Sequence, residues 1–344
     1  MRATFRDAGL QETFERDGYV ALPLLSPDEV AYLEAKFEEL GSPTGDPHMA
    51  CHSSFHTNDT AYKLEVDRIV GGVLRPHVEE LFDRQRSLPC NFIAKWPSAM
   101  SGFGLHQDLS LVDETLHRSA EVWVAINESN ATNGELWMVP GSHEWLPANI
   151  RGINGFGFAF QQVTRRVIAE HARPVPVPAG HAVVFNHATL HFSLPNRSDR
   201  RRLVAITDII PEEAQHLHYF GDGQGNIDIY EIDDSFWTDN NPFTLWKPPP
   251  SAQRIGRSTA VHRELTDADL DELIASGRAE LTGQSPHGAP NAAKAWCHRC
   301  GSTNIDVGYQ PDRWVGNVTL LCDSCREADV AHAASRAHVS SASS

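Results

Sequence analysis

The sequence lacks the long apolar stretches that mark membrane proteins. No apolar run in its 344 residues approaches the roughly 18–20 residues that a membrane-spanning helix needs. Residues 1–18 also contain no apolar segment of the kind found in secretory signals. We therefore expect a cytoplasmic protein that does not associate with membranes.

Basic residues are scarce. Lys and Arg number 29 against 45 Asp and Glu, so the formal net charge is −16 with His counted as neutral. This acidity disfavours a surface that binds nucleic acid or anionic membranes, because both ligands are negatively charged and attract a positive protein surface. Hydrophobic residues make up 41% of the chain, as in globular proteins with a large core. The length allows two domains, or one large domain with an appendage.

Short β-rich runs separated by Gly, Pro and Asn dominate the middle of the chain. They cover residues 91–96, 121–126, 136–139, 181–185 and 203–209. Many short strands with turns between them indicate an antiparallel sandwich or barrel. Before this region, Ser26, Pro27 and Glu29 form a capping-box pattern that predicts a helix ending near Gly41. A second helix should begin after Thr266, with Asp269 three residues later. The predicted fold class is mainly β with flanking helices.

His106 and Asp108 are the first candidate metal ligands. On a strand, residues two positions apart point to the same face, so both side chains can bind one metal ion. Such a tripeptide also occurs by chance as a surface His near an Asp. The best candidate for a third ligand is His191, which would complete the two-His, one-carboxylate set of non-haem Fe(II) oxygenases. Three protein ligands leave positions for a 2-oxo acid and for O₂.

The residues after His191 strengthen this interpretation. Ser193 follows at two positions and Arg202 at eleven, where it opens the apolar run 203–206. An Arg that enters a strand near a metal ion can bind a dicarboxylate through two parallel hydrogen bonds, and a Ser hydroxyl can add a third.

Four blocks of sequence resemble the phytanoyl-CoA dioxygenase family of Fe(II)- and 2-oxoglutarate-dependent oxygenases. The blocks are FERDGYVALPLLSPDEVAYLEAKFEEL, LHQD, EVWVAINESNATNGELWMVPGSH and the segment from His191 to Arg202. The resemblance implies a double-stranded β-helix, also called a jelly roll or cupin-like fold. It also implies an enzyme that uses O₂ to convert 2-oxoglutarate to succinate while it oxidises a C–H bond.

The resemblance assigns roles to individual positions. It implies that His106, Asp108 and His191 bind iron, that Arg202 and Ser193 bind the distal carboxylate of 2-oxoglutarate, and that Lys95, Gln107 and Trp123 belong to the cosubstrate pocket. Two of these positions have simpler alternatives, since Trp123 fits a core residue and Lys95 fits a solvated lysine at a strand end. A carboxylate at Asp108 favours hydroxylation or a related C–H oxidation, because related halogenases have a small residue there.

Four of the six cysteines form two C-x₂-C pairs near the end of the chain. These are Cys297 with Cys300 and Cys322 with Cys325. This spacing is typical of a structural zinc site, here a zinc ribbon, with rubredoxin-like iron as the alternative. Residues 294–344 have as many basic as acidic side chains, which disfavours nucleic-acid binding by this module. The other two, Cys51 and Cys90, fit ordinary buried or loop thiols.

These patterns together predict four segments. Residues 1–275 should form the oxygenase jelly roll, 276–294 a linker, 295–330 the zinc-ribbon-like module and 331–344 a disordered tail. The expected activity is hydroxylation of a polar small molecule. Desaturation, epoxidation or cyclisation on the same fold, and a catalytically silent jelly roll that binds partners through the zinc ribbon, are the alternatives. The sequence leaves the oligomeric state open.

Overall fold

The computed structural model describes residues 1–41, 51–98, 101–146, 150–152, 158–222, 226–241, 245, 247–248, 252–259 and 264–278. The predicted zinc-binding residues Cys297, Cys300, Cys322 and Cys325 lie outside these ranges, as do the predicted tail and most of the predicted linker. Within the ranges, no helix is both long enough and apolar enough to cross a membrane.

The described residues form six α-helices and fourteen β-strands. The helices are α1 (Ala8–Asp17), α2 (Pro27–Glu39), α3 (Thr60–Leu81), α4 (Thr164–His171), α5 (Phe236–Asp239) and α6 (Asp267–Ala275). The first strands are β1 (Tyr19–Pro23), β2 (Cys51–Ser53), β3 (Gln85–Ser87), β4 (Asn91–Lys95), β5 (Phe103–His106), β6 (Ala120–Ala125) and β7 (Leu136–Met138). The remaining strands are β8 (Arg173–Val175), β9 (His181–Asn186), β10 (His191–Ser193), β11 (Arg202–Pro211), β12 (Leu217–Gly221), β13 (Asn226–Glu231) and β14 (Gln253–Thr259).

Two antiparallel sheets form the body of the protein. The large sheet has the order β1-β9-β6-β11-β4-β2, with β3 also paired to β11, and the small sheet has the order β5-β10-β7-β8. The eight strands from β4 to β11 are distributed over both sheets in the pattern of a jelly roll. A hydrophobic cluster fills the space between the sheets, with Trp123, Val183 and Phe185 from the large sheet and Leu136 and Met138 from the small one. The mainly β, antiparallel prediction is therefore confirmed.

Helices cover the outer face of the large sheet. Leu33 and Phe37 of α2 and Leu74 of α3 pack there in one hydrophobic cluster with Phe92 and Val122 of the strands. The capping box at the start of α2 is formed as predicted, with the Ser26 backbone N–H donating to Glu29 Oε2 at 2.8 Å. The predicted box at Thr266 is formed in the same way.

Strands β12, β13 and β14 form a third sheet. The sequence pattern, which is rich in aromatic and acidic residues here, did not predict these strands. Arg86 of β3 links the start of this region to the large sheet. Its Nη1 donates to the carbonyl of Pro211 at 2.8 Å, and its Nε donates to Asp234 Oδ2 at 2.9 Å. The same carboxylate lies 3.3 Å from Nδ1 of the buried His216. Asp234 is thus the shared acceptor at this junction.

Asp234→Asn should weaken the fold in a pH-dependent way. The neighbouring His216, together with the hydrogen bond from Arg86, outweighs burial and lowers the pKa of Asp234 to about 2. A carboxyl group whose pKa is lower in the folded state stabilises the fold above its unfolded value, near 4, and loses this effect as the pH falls. Because the side chain is 42% exposed, we expect a loss of at most about 1 kcal/mol at pH 7.

Urea unfolding of wild type and variant at a series of pH values measures this difference. The two curves should converge between pH about 4 and about 2. Glu212→Gln, which removes an exposed ion pair with Arg84, is the control for the loss of a surface carboxylate. A stability difference that stays constant down to pH about 2 would show that the Asp234 charge does not contribute.

Candidate active site

The jelly roll brings the three candidate metal ligands together. His106 ends β5 and His191 begins β10, and the two residues are direct partners in the antiparallel pairing, with ring centroids 4.1 Å apart. Asp108 follows β5, and its backbone N–H donates to the carbonyl of His187 at 3.0 Å. One carboxylate oxygen lies 3.7 Å from His106 Nε2 and the other 3.7 Å from His191 Nε2. One potential ligand atom from each residue lies within 4.8 Å of the others.

The backbone fixes which nitrogen of each imidazole faces this centre. His106 Nδ1 lies 2.7 Å from the Gly104 carbonyl, and His191 Nδ1 lies 3.0 Å from the Thr189 carbonyl. Because a carbonyl oxygen only accepts, each Nδ1 must carry the proton and donate. The Nε2 lone pair of each neutral ring is therefore free for a metal ion. Asp108 Oδ2 is buried and has no hydrogen-bond partner among the residues that the structure describes, as expected of a ligand atom.

Electrostatics favour the metal-binding protonation states. Burial, with a contribution from His191, lowers the pKa of His106 to about 4. Burial alone would raise the pKa of Asp108, but the neighbouring His191 and His106 outweigh it and the pKa is lowered. At neutral pH the site therefore offers a neutral His106 imidazole and an ionised carboxylate, which a divalent cation requires.

Two buried cations lie on adjacent strands. Lys95 of β4 and Arg202 of β11 are cross-strand partners, with 0% and 3% of their surfaces exposed. The alternative of a solvated lysine at position 95 is therefore wrong. Lys95 Nζ donates to Ser193 Oγ at 2.6 Å and to the Leu194 carbonyl at 2.7 Å. Arg202 Nη1 donates to the Gly134 carbonyl, while its buried Nε has no hydrogen-bond partner within the described ranges.

These cations have no counter-ion within the described part of the chain. No carboxylate there forms an ion pair with Lys95 or Arg202. Burial, together with the charge of Arg202, lowers the pKa of Lys95 well below its usual value, and burial lowers the pKa of Arg202 to about 10. Two like charges held together away from water are unfavourable without an anion. The pocket therefore has the character of a binding site for an anion.

Trp123 and Gln107 support the site in different ways. Trp123 belongs to the cluster between the sheets, and the Arg202 guanidinium lies over its ring at 5.1 Å from the centroid. Trp123 is thus both a core residue and a support for Arg202. Gln107 Nε2 donates to the Ala188 carbonyl at 2.5 Å, which ties the segment of His106 and Asp108 to the turn before β10.

The sequence profile of one family, described as Phytanoyl-CoA dioxygenase (PhyH), matches residues 14–204, which is more than half of the chain. The chain belongs to the phytanoyl-CoA dioxygenase family. The matched segment contains all eight residues predicted for the iron and cosubstrate sites, and it ends two residues after Arg202. The resemblance that the sequence indicated is therefore confirmed at the level of the family.

Individual members of the phytanoyl-CoA dioxygenase family match over shorter stretches. "Phytanoyl-CoA dioxygenase" of Arabidopsis thaliana is 29% identical over 113 residues, which cover 32% of this chain and 39% of that protein. "Phytanoyl-CoA dioxygenase domain-containing protein 1" of Danio rerio is 29% identical over 131 residues, or 36% of this chain and 44% of that protein. The matches thus span less than half the length of these relatives.

Solved structures show a more distant likeness. The epimerase SnoN, solved with Fe³⁺, alpha ketoglutarate and nogalamycin RO, is 20% identical, with a TM-score of 0.47 over 72% of this chain and 96% of SnoN.

Two residues beside the candidate site received no individual role from the sequence, although both begin segments, 51–62 and 151–166, that the sequence predicts to line the pocket. Arg151 Nε donates to the backbone carbonyl of Asp108 at 2.5 Å, and its guanidinium also pairs with Glu114 at 2.5 Å. Cys51 of β2 is the cross-strand partner of Lys95 and was classed among the ordinary thiols. A strand as short as β2 carries no alternating pattern, so only its pairing with β4 could have identified Cys51.

Proposed function

We propose that this protein is a non-haem Fe(II)- and 2-oxoglutarate-dependent dioxygenase that hydroxylates a C–H bond of a polar small molecule and releases succinate and CO₂. The observation that carries the proposal is the juxtaposition of two sites. A two-His, one-carboxylate cluster lies at β5 and β10 of the small sheet, and Ser193 of β10 accepts a hydrogen bond from Lys95 of the large sheet. Lys95 and its cross-strand partner Arg202 are buried and have no carboxylate partner in the part of the chain that the structure describes.

The donor set fits iron. His106 and His191 would bind Fe(II) through Nε2, and Asp108 through its carboxylate. Two imidazoles and one carboxylate are the ligand set of non-haem Fe(II) oxygenases, which leaves positions for a cosubstrate and O₂. When bound, the iron supplies the activation of O₂. The contributions of the protein are the fixed Nδ1–H donors and the Gln107 hydrogen bond, which hold both ligand-bearing segments in place.

The buried cations fit the other end of 2-oxoglutarate. Arg202 would bind its distal carboxylate, with Ser193 and Lys95 as further donors and Trp123 as the surface on which the guanidinium rests. The distal carboxylate would supply one negative charge beside these two buried basic groups, which have no carboxylate partner in the described part of the chain. Binding would thus offset part of the unfavourable burial of the two groups.

A cavity of about 560 Å³ lies beside the segment that follows Asp108, and its lining includes none of the candidate iron or cosubstrate residues. Ser110, two residues after Asp108, forms part of its wall. Leu217, Tyr219 and Ile229 of the third sheet give it an apolar side, and Glu114 adds a polar group. This mixture suits a molecule with both apolar and polar surfaces better than a bare hydrocarbon chain.

Succinate release tests the proposal. Purified protein with Fe(II), ascorbate and 2-oxoglutarate in air should form succinate, slowly without a substrate and faster with one. Omitting iron, O₂ or 2-oxoglutarate should each abolish it. Mass analysis of stimulated reactions then separates hydroxylation, which adds one oxygen, from desaturation or ring closure, which removes two hydrogens. Protein that binds iron and 2-oxoglutarate but forms no succinate with any substrate tested would support the silent alternative.

A further inference from the structure

Three neighbouring strands align their side chains in one row beside the proposed cosubstrate pocket. In the large sheet, Cys51 is opposite Lys95, and Lys95 is opposite Arg202. Direct cross-strand partners point to the same face of a sheet. That face is the inner one, because Lys95 Nζ reaches Ser193 of the small sheet and Arg202 rests on Trp123 between the sheets. The Cys51 thiol therefore continues the row of two cations.

The two cysteines of the described chain have different surroundings. Cys90 packs in the hydrophobic cluster on the outer face of the large sheet, and its Sγ lies 3.7 Å from Ser87 Oγ. Cys51 is also buried, but the charges that act on its thiol are those of Lys95 and Arg202. Arg202 Nε, in the same row, is a buried donor without a hydrogen-bond partner in the described part of the chain. A ligand that satisfies this donor would lie against the row.

We propose that Cys51 is a positioning residue of the cosubstrate pocket, whose thiol forms the wall beside Lys95 and Arg202 and contacts the distal end of bound 2-oxoglutarate. The inference rests on the proposed function and adds a residue to its site. A thiol suits this place, since it is small and is a weak hydrogen-bond donor. Burial raises the pKa of Cys51 despite the two cations, so the group is neutral and leaves their charges for the carboxylate.

Protection from alkylation tests the contact directly. The full chain is loaded with Fe(II) without O₂, treated with N-ethylmaleimide with or without 2-oxoglutarate, and mapped by peptide mass spectrometry. Saturating 2-oxoglutarate should slow labelling of Cys51 at least about tenfold, and labelling of Cys90 less than about twofold. Cys90 is the matched control, because a merely global stabilisation by the ligand would protect both buried thiols equally.

Substitution gives a second readout. Cys51→Leu places two more non-hydrogen atoms in the wall and should raise the KM for 2-oxoglutarate at least about tenfold, with kcat at saturation and iron binding largely retained. Cys51→Ser, of nearly the same size, should keep the KM within about threefold. Cys90→Leu should lower stability without changing the KM. If Cys51→Leu does not fold, the protection experiment on the wild-type protein still decides.

Two outcomes would overturn the role of Cys51 alone. These are equal protection of both thiols in protein that binds 2-oxoglutarate, and an unchanged KM in folded Cys51→Leu. Wild-type protein with iron that shows no 2-oxoglutarate binding by calorimetry would instead overturn the proposed function, and the role of Cys51 with it.

Discussion

His106→Ala, Asp108→Ala and His191→Ala should each form succinate at less than about one hundredth of the wild-type rate. Each substitution removes one of the three proposed ligands, and two ligands would not hold Fe(II) in a fixed position. The iron content after anaerobic gel filtration should fall in parallel with the activity. Both quantities are needed, because lost activity with retained iron would indicate a role in the reaction other than metal binding.

His181→Ala is the matched control for the histidine variants. His181 begins β9 and pairs with Pro23 at the edge of the sheet, outside the triad. Its activity and iron content should equal those of the wild type. Succinate formation at the wild-type rate by any of the three ligand variants would exclude this triad as the iron site.

Arg202→Leu and Lys95→Met should each raise the KM for 2-oxoglutarate by about 10–100-fold. A hydrogen bond to a charged group contributes roughly 1.5–3 kcal/mol, and each 1.4 kcal/mol changes an equilibrium constant tenfold. Iron binding should remain, because neither side chain belongs to the metal cluster. Initial rates of succinate formation over a range of 2-oxoglutarate concentrations give the KM.

Arg201→Leu is the control for Arg202→Leu. Arg201 precedes Arg202 on the chain, but its guanidinium lies over the Phe37 ring on the outer face of the sheet and pairs with Glu38 at 2.5 Å. This variant loses the same charge from the next position and should keep the wild-type KM. Equal KM values for Arg202→Leu and wild type would assign the distal carboxylate to other residues.

Local patterns in the sequence predicted much of the fold, and they pointed to candidate metal ligands that the structure places close together. The capping boxes at Ser26 and Thr266 depend on residues three positions apart, and both are formed. The pairing of His106 with Asp108 depends on a spacing of two along one segment, and the structure places both at the cluster.

Contacts and burial that depend on how distant segments of the chain pair could not be predicted from local sequence patterns. That Lys95 is buried follows from its position between β2 and β11 in the sheet, whereas its own segment also fits an exposed strand end. Arg151 contacts the Asp108 backbone from a position 43 residues later. Helix α3 buries a stripe of side chains that includes Val66 and Leu74. The sequence pattern did not predict a helix of this length, because it contains Pro76, a residue that usually ends or kinks a helix.

The pair of cations has a consequence for the end of each catalytic cycle. On the proposed assignment, Lys95 and Arg202 recognise a carboxylate that 2-oxoglutarate shares with succinate, since decarboxylation alters only the opposite end of the molecule. Lys95 and Arg202 of the large sheet therefore cannot distinguish succinate from 2-oxoglutarate. Succinate should therefore inhibit the reaction competitively with respect to 2-oxoglutarate. Release of succinate would then depend on its binding the iron more weakly than 2-oxoglutarate does.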